Sequence, residues 1–503
     1  MTFSFSPTRA GFLAGRSALA MAVLTALSGC AALAPAPQAV APGVDVPAAW
    51  TQAADLAPAS ASNSAPAAQP GAAAVAPSTA HSASVAAAPQ PTPLAQWWLR
   101  LGDPVLADLV TQALQANTDV RQAQAALRQA RAQADVQGAA LQPSLDASGS
   151  AQRRRASGST GNSFQAGLDA SWEPDLFGRL QSGVDASVAD ARAAAASLAG
   201  AQVSLAAEVA LNYITLRSQQ ERLAIAQRNL ASQQETLQLT DWRVQAGLAT
   251  SLVLEQARAN TQQTAAQIPQ LQAALAQSRH SLAVLTGQAP GALDALLASE
   301  RPVPQPPLDL ALAIPAETLR QRPDVRVAEE RIAAALSRLA QADAARYPSF
   351  RLGGSVGLSA LTLGALTNGA SVAAALLGSV SVPLLDGGAA RAQVRVQEAT
   401  LEQARTHYEA TVLTALQEVE DALVALRGDR ERLLRLQEAA QAAGNAALLA
   451  QHRYRSGLID FQSLLETQRT LLSTQDGVAS TAASVAADHV RLYKALGGGW
   501  SPL

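Results

Sequence analysis

Two long stretches of the chain place a large apolar residue at every seventh position. Between residues 178 and 247 the register is held by Val209, Leu216, Leu223, Leu230, Leu237 and Val244. Between residues 387 and 457 it is held by Val412, Val419, Leu426, Leu433 and Tyr454. A seven-residue apolar period is typical of helices supercoiled on neighbouring helices. Each stretch therefore predicts a helix ~100 Å long, followed by a return helix at Ser251 to Leu285 or Phe461 to Leu496.

Two shorter regions, 143–173 and 348–383, change to a period of two. Apolar and polar residues alternate from Phe164 to Trp172. The same alternation occurs in three further stretches, which begin at Leu145, Phe350 and Val372. This alternation predicts four β-strands, each with one apolar and one polar face. Strands of about ten residues with this pattern suit a transmembrane β-barrel better than a soluble sheet. No apolar run of 18 or more residues follows the N-terminal segment, so helical membrane spans are not expected.

The stretch from Arg153 to Ser163, between the first two strands, is predicted to form a hairpin loop. It begins with three arginines, Arg153, Arg154 and Arg155. If the loop is extracellular, these arginines could contact anionic lipopolysaccharide. A solvated loop cluster is the alternative.

The chain is one unit written twice. Gly247 and Gly457 lie 210 residues apart, and Gly287 and Gly497 keep the same offset. Repeat one covers about residues 104–287 and repeat two about 315–497. Each repeat contains two strands followed by a long helical hairpin. Four strands cannot close a barrel, because small barrels need about eight, so several chains must assemble. The number of chains does not follow from this argument.

Composition and charge favour neither nucleic-acid binding nor catalysis. The net charge is -2 and aromatic residues make up 4% of the 503 residues. The net charge therefore gives no bulk electrostatic case for nucleic-acid binding, and few aromatic residues are present to build a cofactor pocket. The histidines His280, His407, His452 and His489 lack metal-ligand spacing. Asp488-His489 has no Gly-x-Ser-x-Gly motif to complete a hydrolase, and the two polar side chains are predicted to lie on the surface. No cofactor, metal or enzymatic activity is expected.

The N-terminus predicts export and a lipid anchor. Residues 1–29 resemble a signal peptide that ends in a bacterial lipobox, Leu-Ser-Gly, before Cys30. The lipobox implies cleavage before Cys30 and lipidation of its thiol. Residues 30–93 are rich in Ala and Pro and predict a disordered tether. The folded body should span 94–503 and begin with one helix from Pro104 to about Leu141.

Several motifs in the body resemble those of the TolC-like outer-membrane factors, in particular the lipidated branch that serves RND-type multidrug efflux pumps. The motifs are Trp172-Glu-Pro-Asp-Leu-Phe-Gly178, Arg322-Pro-Asp-Val-Arg326, Tyr347-Pro-Ser349, Val382-Pro-Leu-Leu-Asp-Gly387, Tyr454-Arg-Ser-Gly457 and Leu464-Leu-Glu-Thr-Gln-Arg469. The resemblance covers essentially all of the chain from Trp97 to Trp500. It implies a mainly α protein with a membrane β-barrel: a trimeric 12-stranded barrel in the outer membrane, continued by a long periplasmic α-helical barrel.

The resemblance also implies a passive function and specific partners. The chain would be the outer-membrane exit duct for small molecules in a tripartite pump. Its partners would be two further copies of itself, outer-membrane lipid, a periplasmic adaptor and an inner-membrane transporter. Two other functions remain open: a periplasmic coiled-coil adaptor or tether that forms no channel, and the outer-membrane channel of a type I protein secretion system.

In the resembled family, the two helical hairpin tips close the periplasmic end of the channel. The tips here carry Gly247 and Glu255 in repeat one and Gly457 in repeat two. By motif alignment Glu466 is a pore-lining acid. Gln462 and Ser463 occupy aperture positions that are apolar or acidic in other members, and Tyr454 and Arg455 match tethering residues.

Glu466 is the aperture residue with the clearest physical consequence. Three carboxylates that converge on one axis would favour cations and repel anions. A solvated Glu466 paired with Arg469 at i+3 is the alternative reading.

Overall fold

The computed structural model describes residues 95–156, 159–305 and 316–500. The signal peptide, Cys30 and the tether predicted from the sequence lie outside these residues. The described chain divides into two compact units. The first consists of Ala125–Ala195 and Val327–Glu409, and the second of residues 95–124, 196–305, 316–326 and 410–500.

The helices and strands follow the predicted duplication. Repeat one contains α1 (Pro104–Ala116), α2 (Thr118–Ala139), β1 (Ser144–Ala156), β2 (Ser159–Trp172), α3 (Arg179–Gln245) and α4 (Ser251–Leu285). Repeat two contains α5 (Pro323–Ala344), β3 (Ser349–Ala360), β4 (Val372–Ser381), α6 (Ala389–Arg455) and α7 (Phe461–Ala495). Short 3-10 helices lie at Trp97–Leu101, Ala316–Gln321, Leu363–Ala365 and Gly369–Ser371. In both repeats the long helix has 67 residues and the return helix has 35.

The four strands form one antiparallel sheet in the order β1-β2-β3-β4. Its register places Leu145 opposite Ala170, Leu168 opposite Val356, and Gly354 opposite Leu376. These side chains share one face, because alternate residues of a strand point the same way. The other face carries polar residues, where the Ser148 hydroxyl donates to Asp169 Oδ2 over 3.2 Å. Across the middle of β1, β2 and β3 the sheet is therefore apolar on one face and polar on the other, as the alternation predicts, whereas β4 also places Leu377 on the polar face, opposite Gly353.

The predicted hairpin loop between the first two strands was wrong. The ladder continues past Ala151–Phe164 to Arg153–Asn162 and on to Arg155–Thr160, so the three arginines belong to β1. The physical reason is that a continued ladder pairs backbone groups, while exposed arginine side chains extend into solvent at no cost to that pairing.

The predicted single helix from Pro104 to Leu141 is broken in two at Asn117, whose backbone is extended. Its side-chain Oδ1 accepts from the backbone N–H of Asp119 at 2.8 Å and caps α2. Its Nδ2 donates to the carbonyl of Leu285 at 3.0 Å, at the end of α4. Asparagine competes well with helical hydrogen bonds in this way.

The core of the second unit surrounds Trp97, which is completely buried. Its ring stacks on Tyr493 with centroids 5.4 Å apart and meets Trp98 edge-on at 5.8 Å. Leu216 of α3 and Leu282 of α4 join the same cluster. Burial of such large side chains stabilises the fold by about 2 kcal/mol each. The residues just before α1 are thus packed into the body.

α3 is, by length and composition, apolar enough to cross a membrane, contrary to the expectation from the sequence. A helix packed in the core of a protein has the same length and composition. Val209, Ile214 and Leu216 of α3 are buried in the core of the second unit. We therefore read α3 as a helix that packs on other helices.

Two glycines with a left-handed backbone end the return helices of the two repeats, each close to a neighbouring segment. Gly287 follows α4 with φ 71°, and a Cβ there would lie 2.7 Å from the carbonyl oxygen of Ala116. Gly497 follows α7 with φ 75°, and a Cβ there would lie 3.0 Å from Arg322 Cγ. The left-handed backbone and the close approach both require glycine.

Candidate functional site

The two helical hairpin tips have nearly the same backbone. In each, a glycine with φ 75° follows the long helix: Gly247 after α3 and Gly457 after α6. The next residue then closes the turn, with Leu248 N–H donating to the Arg243 carbonyl at 2.7 Å and Leu458 N–H to the Arg453 carbonyl at 2.8 Å. A 6→1 hydrogen bond beside a left-handed glycine is a Schellman turn. Both tips are therefore sharp, well-defined turns, as the repeated Gly-Leu pair predicts.

The tips differ at the start of the return helix. Asp460 caps α7, because its Oδ1 accepts from the backbone N–H of Ser463 at 2.9 Å. The hydrogen bonds with Ser463 lower the pKa of the Asp460 carboxyl. Thr250 stands at the equivalent place before α4 but makes no side-chain cap. The side chain of Ser463 itself is exposed.

The predicted tethering residue Tyr454 is 4% exposed and joins the two hairpins. Its hydroxyl lies 2.9 Å from Thr240 Oγ1 of α3. Because Thr240 already donates to the Thr236 carbonyl at 2.8 Å, Tyr454 is the donor in this contact. Its ring packs edge-on against Phe461 with centroids 6.0 Å apart, within a small apolar cluster that includes Leu464.

Arg243 of α3 makes a charge-assisted polar contact between the tips. Its Nη2 donates to the carbonyls of Tyr454 at 2.6 Å and Arg455 at 3.0 Å. Its guanidinium also lies 4.5 Å from the centroid of the Tyr454 ring. The two carbonyls belong to the last turn of α6, where unpaired carbonyls and the helix dipole favour a cation. Arg243 of the first hairpin thus places a positive charge against the carbonyls at the end of α6 in the second hairpin.

The sequence prediction missed Arg243, although a signal was present. Arg243 occupies the position in repeat one that Arg453 occupies in repeat two, and both lie in the last turn of a long helix. Arg453 is exposed and, within the described part of the chain, its side chain makes no hydrogen bond or ion pair. The repeat therefore pointed to the position but did not show which copy would be used.

Other predicted tip residues also link the hairpins. Arg455 lies 3.3 Å from Glu235 of α3, and both side chains are at least half exposed. A pair this exposed contributes under about 1 kcal/mol. Gln462 Nε2 donates to Gln256 Oε1 of α4 at 3.0 Å. Gln462 therefore links the start of α7 to α4 through a polar contact.

The two acidic tip residues differ in their surroundings. Glu255 forms an ion pair with Arg258 at 2.6 Å. Glu466 is exposed, and its carboxylate has no hydrogen-bond or ion-pair partner among the described residues. The alternative pairing of Glu466 with Arg469 was wrong, because Arg469 Nε donates to Asn260 Oδ1 at 3.2 Å instead. Glu466 is thus an uncompensated negative charge at the tip of repeat two.

The structure gives no support to a catalytic Asp488-His489 pair, and it corrects the prediction that the pair lies on the surface. Both residues are under 4% exposed. His489 Nδ1 donates to the Val485 carbonyl at 2.8 Å, so Nε2 accepts from Arg430 at 2.8 Å. Burial lowers the pKa of His489 to about 4. With both ring nitrogens occupied, His489 cannot act as a base. No metal-binding cluster of His, Cys, Asp or Glu occurs in the described residues.

A family model described as outer membrane efflux protein matches residues 109–288 and 314–498. Outer membrane protein OprJ of Pseudomonas aeruginosa is 34% identical over 417 residues, which cover 80% of this chain and 86% of the relative. The pyoverdine export outer membrane protein OpmQ of Pseudomonas putida is 33% identical, with coverages of 82% and 89%.

The fold of the chain is similar to solved structures of outer-membrane proteins. The outer-membrane channel OprN superposes with a TM-score of 0.77 at 37% identity, covering 81% of this chain and 93% of that one. The outer membrane protein VceC of Vibrio cholerae superposes with a TM-score of 0.75 at 25% identity, covering 82% and 100%.

Proposed function

This chain belongs to the outer membrane efflux protein family, and we propose that it is the passive exit duct of a tripartite efflux pump. The cargo would be small molecules, driven by an inner-membrane transporter and delivered through a periplasmic adaptor. Relatives carry names such as toluene efflux pump and antibiotic efflux pump outer membrane protein. The observation that carries the proposal is the duplicated unit, in which an amphipathic strand pair is followed by a 67-residue helix with a sharply closed tip.

Three copies of the chain would complete the duct. The sheet ends in two unpaired edges, β1 and β4. Exposed edges of this length invite pairing with another chain. If β1 of each copy pairs with β4 of the next, three copies close a 12-stranded barrel with the apolar face toward lipid. The family resemblance supports three as the number.

The tips are the surface we assign to the adaptor. Leu248 and Leu458 are 79% and 74% exposed, each directly after a turn glycine. An apolar side chain held out on a rigid turn offers contact area at little cost in ordering entropy. The two tips of each chain would present six such leucines in a trimer.

Planar-bilayer recording of the purified full-length protein tests the proposed function. A channel should be recovered in the membrane fraction of cells. It should also insert into planar bilayers and conduct small ions. A protein recovered only in the soluble periplasmic fraction, with no conductance, would favour a periplasmic adaptor or tether. Selective loss of a secreted protein from a deletion strain, with unchanged drug tolerance, would favour a type I secretion channel.

Replacing Glu466 by glutamine should reduce cation preference of the channel. Three unpaired carboxylates near one axis attract cations, and in water the attraction between unit charges at contact distance is on the order of 1 kcal/mol in total, which sets the scale of the change. We expect the cation-to-anion permeability ratio to fall by about fivefold. Reversal potentials in a salt gradient across a planar bilayer measure this ratio.

Glu255→Gln is the matched control, because Glu255 carries the same charge at the other tip but is neutralised by Arg258 at 2.6 Å. It should leave the permeability ratio nearly unchanged. If Glu466→Gln also leaves the ratio unchanged, Glu466 lies away from the pore axis.

We also propose that Cys30 is the lipidated N-terminus of the mature protein. The lipobox Leu-Ser-Gly before Cys30 supports this assignment. Cys30→Ala should abolish incorporation of radiolabelled palmitate, because the thiol that carries the lipid is on this residue and cleavage before it depends on the cysteine. Labelling that survives the substitution would exclude Cys30 as the anchor. Ser28→Ala, which keeps the cysteine, should still be labelled.

A further inference from the structure

Two arginines interrupt the apolar face of the membrane sheet. Arg153 and Arg155 lie on the same face of β1 as Leu145, because alternate residues of a strand share a face. The register sets that face beside Phe164 and Leu168 of β2. In a barrel of this family's architecture it is the outward, lipid-facing surface. Charged side chains on such a face are costly at the bilayer centre and tolerated near its edges.

The position of the arginines along the strand places them at an edge. Trp172 and Phe164 lie on the apolar face of β2, and the eight residue steps from one to the other span ~27 Å along the strand. With a strand tilt of about 40°, the height is ~20 Å, close to the ~25 Å apolar band that aromatic residues flank in membrane barrels. Arg153 lies opposite Asn162, one pair beyond Phe164 on this face, and Arg155 lies one pair further. Both arginines therefore lie just beyond the edge of the apolar band.

The direction of the chain identifies which edge this is. α2 ends just before β1, and α3 begins just after β2, so helices adjoin the Trp172 end of the hairpin. Long amphipathic helices belong on the periplasmic side of the barrel. The opposite end, with Arg153 and Arg155, therefore faces the outer leaflet.

The charge on this face is unbalanced. Within the strands as described, the acidic residues Asp146 and Asp169 lie on the polar face, as does Arg351. Arg153 and Arg155 are exposed and make no hydrogen bond or ion pair with any described residue. Two positive charges at the headgroup level of a lipid-facing surface lack a protein partner.

We propose that Arg153 and Arg155 form a binding surface for phosphate groups of outer-leaflet lipid headgroups. The guanidinium is planar and binds phosphate oxygens through two parallel N–H donors. Neighbouring same-face residues of a strand lie ~7 Å apart, so the two arginines can engage separate phosphates or two oxygens of one headgroup. The inference rests on the proposed function, because it needs the strands to span the outer membrane.

The same strand provides a control of matched charge. Arg154 lies between the two arginines but on the opposite, polar face, where the register places it across from Gly161. Arg154→Gln changes the charge and the strand in the same way as Arg153→Gln, without touching the lipid-facing surface. Glutamine is accepted at exposed strand positions, so all the variants should fold.

The test is a titration of the full-length assembly in non-ionic detergent with lipid A bearing its phosphates, and with lipid A from which they have been removed. The wild-type protein should bind the phosphorylated form more tightly. The double variant Arg153→Gln/Arg155→Gln should weaken that binding by about 30-fold, since each arginine near an anionic headgroup contributes about fivefold. Arg154→Gln should bind like the wild type.

Two results would overturn the inference. One is equal affinity of the wild-type protein for both lipids. The other is a loss in Arg154→Gln as large as the loss in the single variant Arg153→Gln, which would indicate attraction by net charge alone. Planar-bilayer conductance separates this inference from the proposed function. A wild-type protein that fails to conduct contradicts the function, whereas a conducting channel without phosphate-dependent binding contradicts only the lipid surface.

Discussion

Replacing Arg243 by alanine is expected to open the periplasmic end of the channel. Arg243 holds the Tyr454 and Arg455 carbonyls of α6 at 2.6 and 3.0 Å and stacks over the Tyr454 ring. Hydrogen bonds that involve a charge contribute about 1.5–3 kcal/mol each, and partial exposure reduces this. A loss of ~2–3 kcal/mol per tip raises the open-to-closed ratio by about 30- to 150-fold. The closed state should become rare in single-channel recordings, and cells should admit antibiotics that are normally too large to enter.

Arg453→Ala is the matched control for this opening. Arg453 has the repeat-equivalent position in α6, but its exposed side chain has no hydrogen-bond partner in the described chain. The substitution removes the same charge from the same end of the molecule and should leave the open probability unchanged. If Arg243→Ala also leaves it unchanged in an intact assembly, the contacts of Tyr454 and Gln462 must suffice to keep the tips together.

The fold followed closely from periodicity and duplication, because both reflect local geometry. A heptad pattern constrains a helix along its whole length, and a left-handed glycine marks where it ends. The structure accordingly ends α3 at Gln245 and α6 at Arg455, each within two residues of its predicted turn glycine. The predicted fold class, with four strands and two helical hairpins in a duplicated chain, is confirmed by the structure and its solved neighbours.

The errors came where the outcome depended on tertiary neighbours. Asn117 breaks a helix because its side chain finds the end of α4, which is 168 residues distant in sequence. His489 is buried because Arg430 of α6 and the Val485 carbonyl satisfy its nitrogens. In the hydrophobic pattern both residues are only polar positions. The pattern does not show whether the folded chain brings a hydrogen-bond partner to them.

The candidate site was predictable in position but not in its contacts. The repeated Gly-Leu turns located both tips, whereas the partners of Tyr454 and Arg469 depend on packing between the two repeats. Arg243 and Arg453 illustrate the limit, since equivalent arginines differ completely in what they contact. A duplicated sequence specifies equivalent backbones more strictly than it specifies equivalent side-chain partners.

Of the substitutions proposed here, Arg217→Met should cause the largest loss of folding stability. Arg217 is completely buried in α3. It donates to Gln220 Oε1 and the Ser299 carbonyl, both at 2.7 Å, and to the Tyr213 hydroxyl at 2.8 Å. Tyr213 in turn donates to Asp103, the cap of α1, at 2.5 Å. Burial and the bond to Asp103 raise the pKa of Tyr213 to about 12, so it remains a neutral donor at every physiological pH.

Methionine fills much of the volume of Arg217 but satisfies none of its three acceptors. Removal of one member of a buried charged network destabilises a protein by about 3–5 kcal/mol. We expect the thermal unfolding midpoint of the purified assembly to fall sharply at a fixed scan rate, together with the yield of folded protein in the membrane. Arg427→Met is the control, because Arg427 is the repeat-equivalent residue in α6 and is exposed. Its effect should stay within about 1 kcal/mol, because polar contacts of an exposed side chain contribute little. A small effect at Arg217 would mean that water takes over its hydrogen bonds, and that the segment at Ser299 and the N-terminal cap of α1 are held to the body by apolar packing alone.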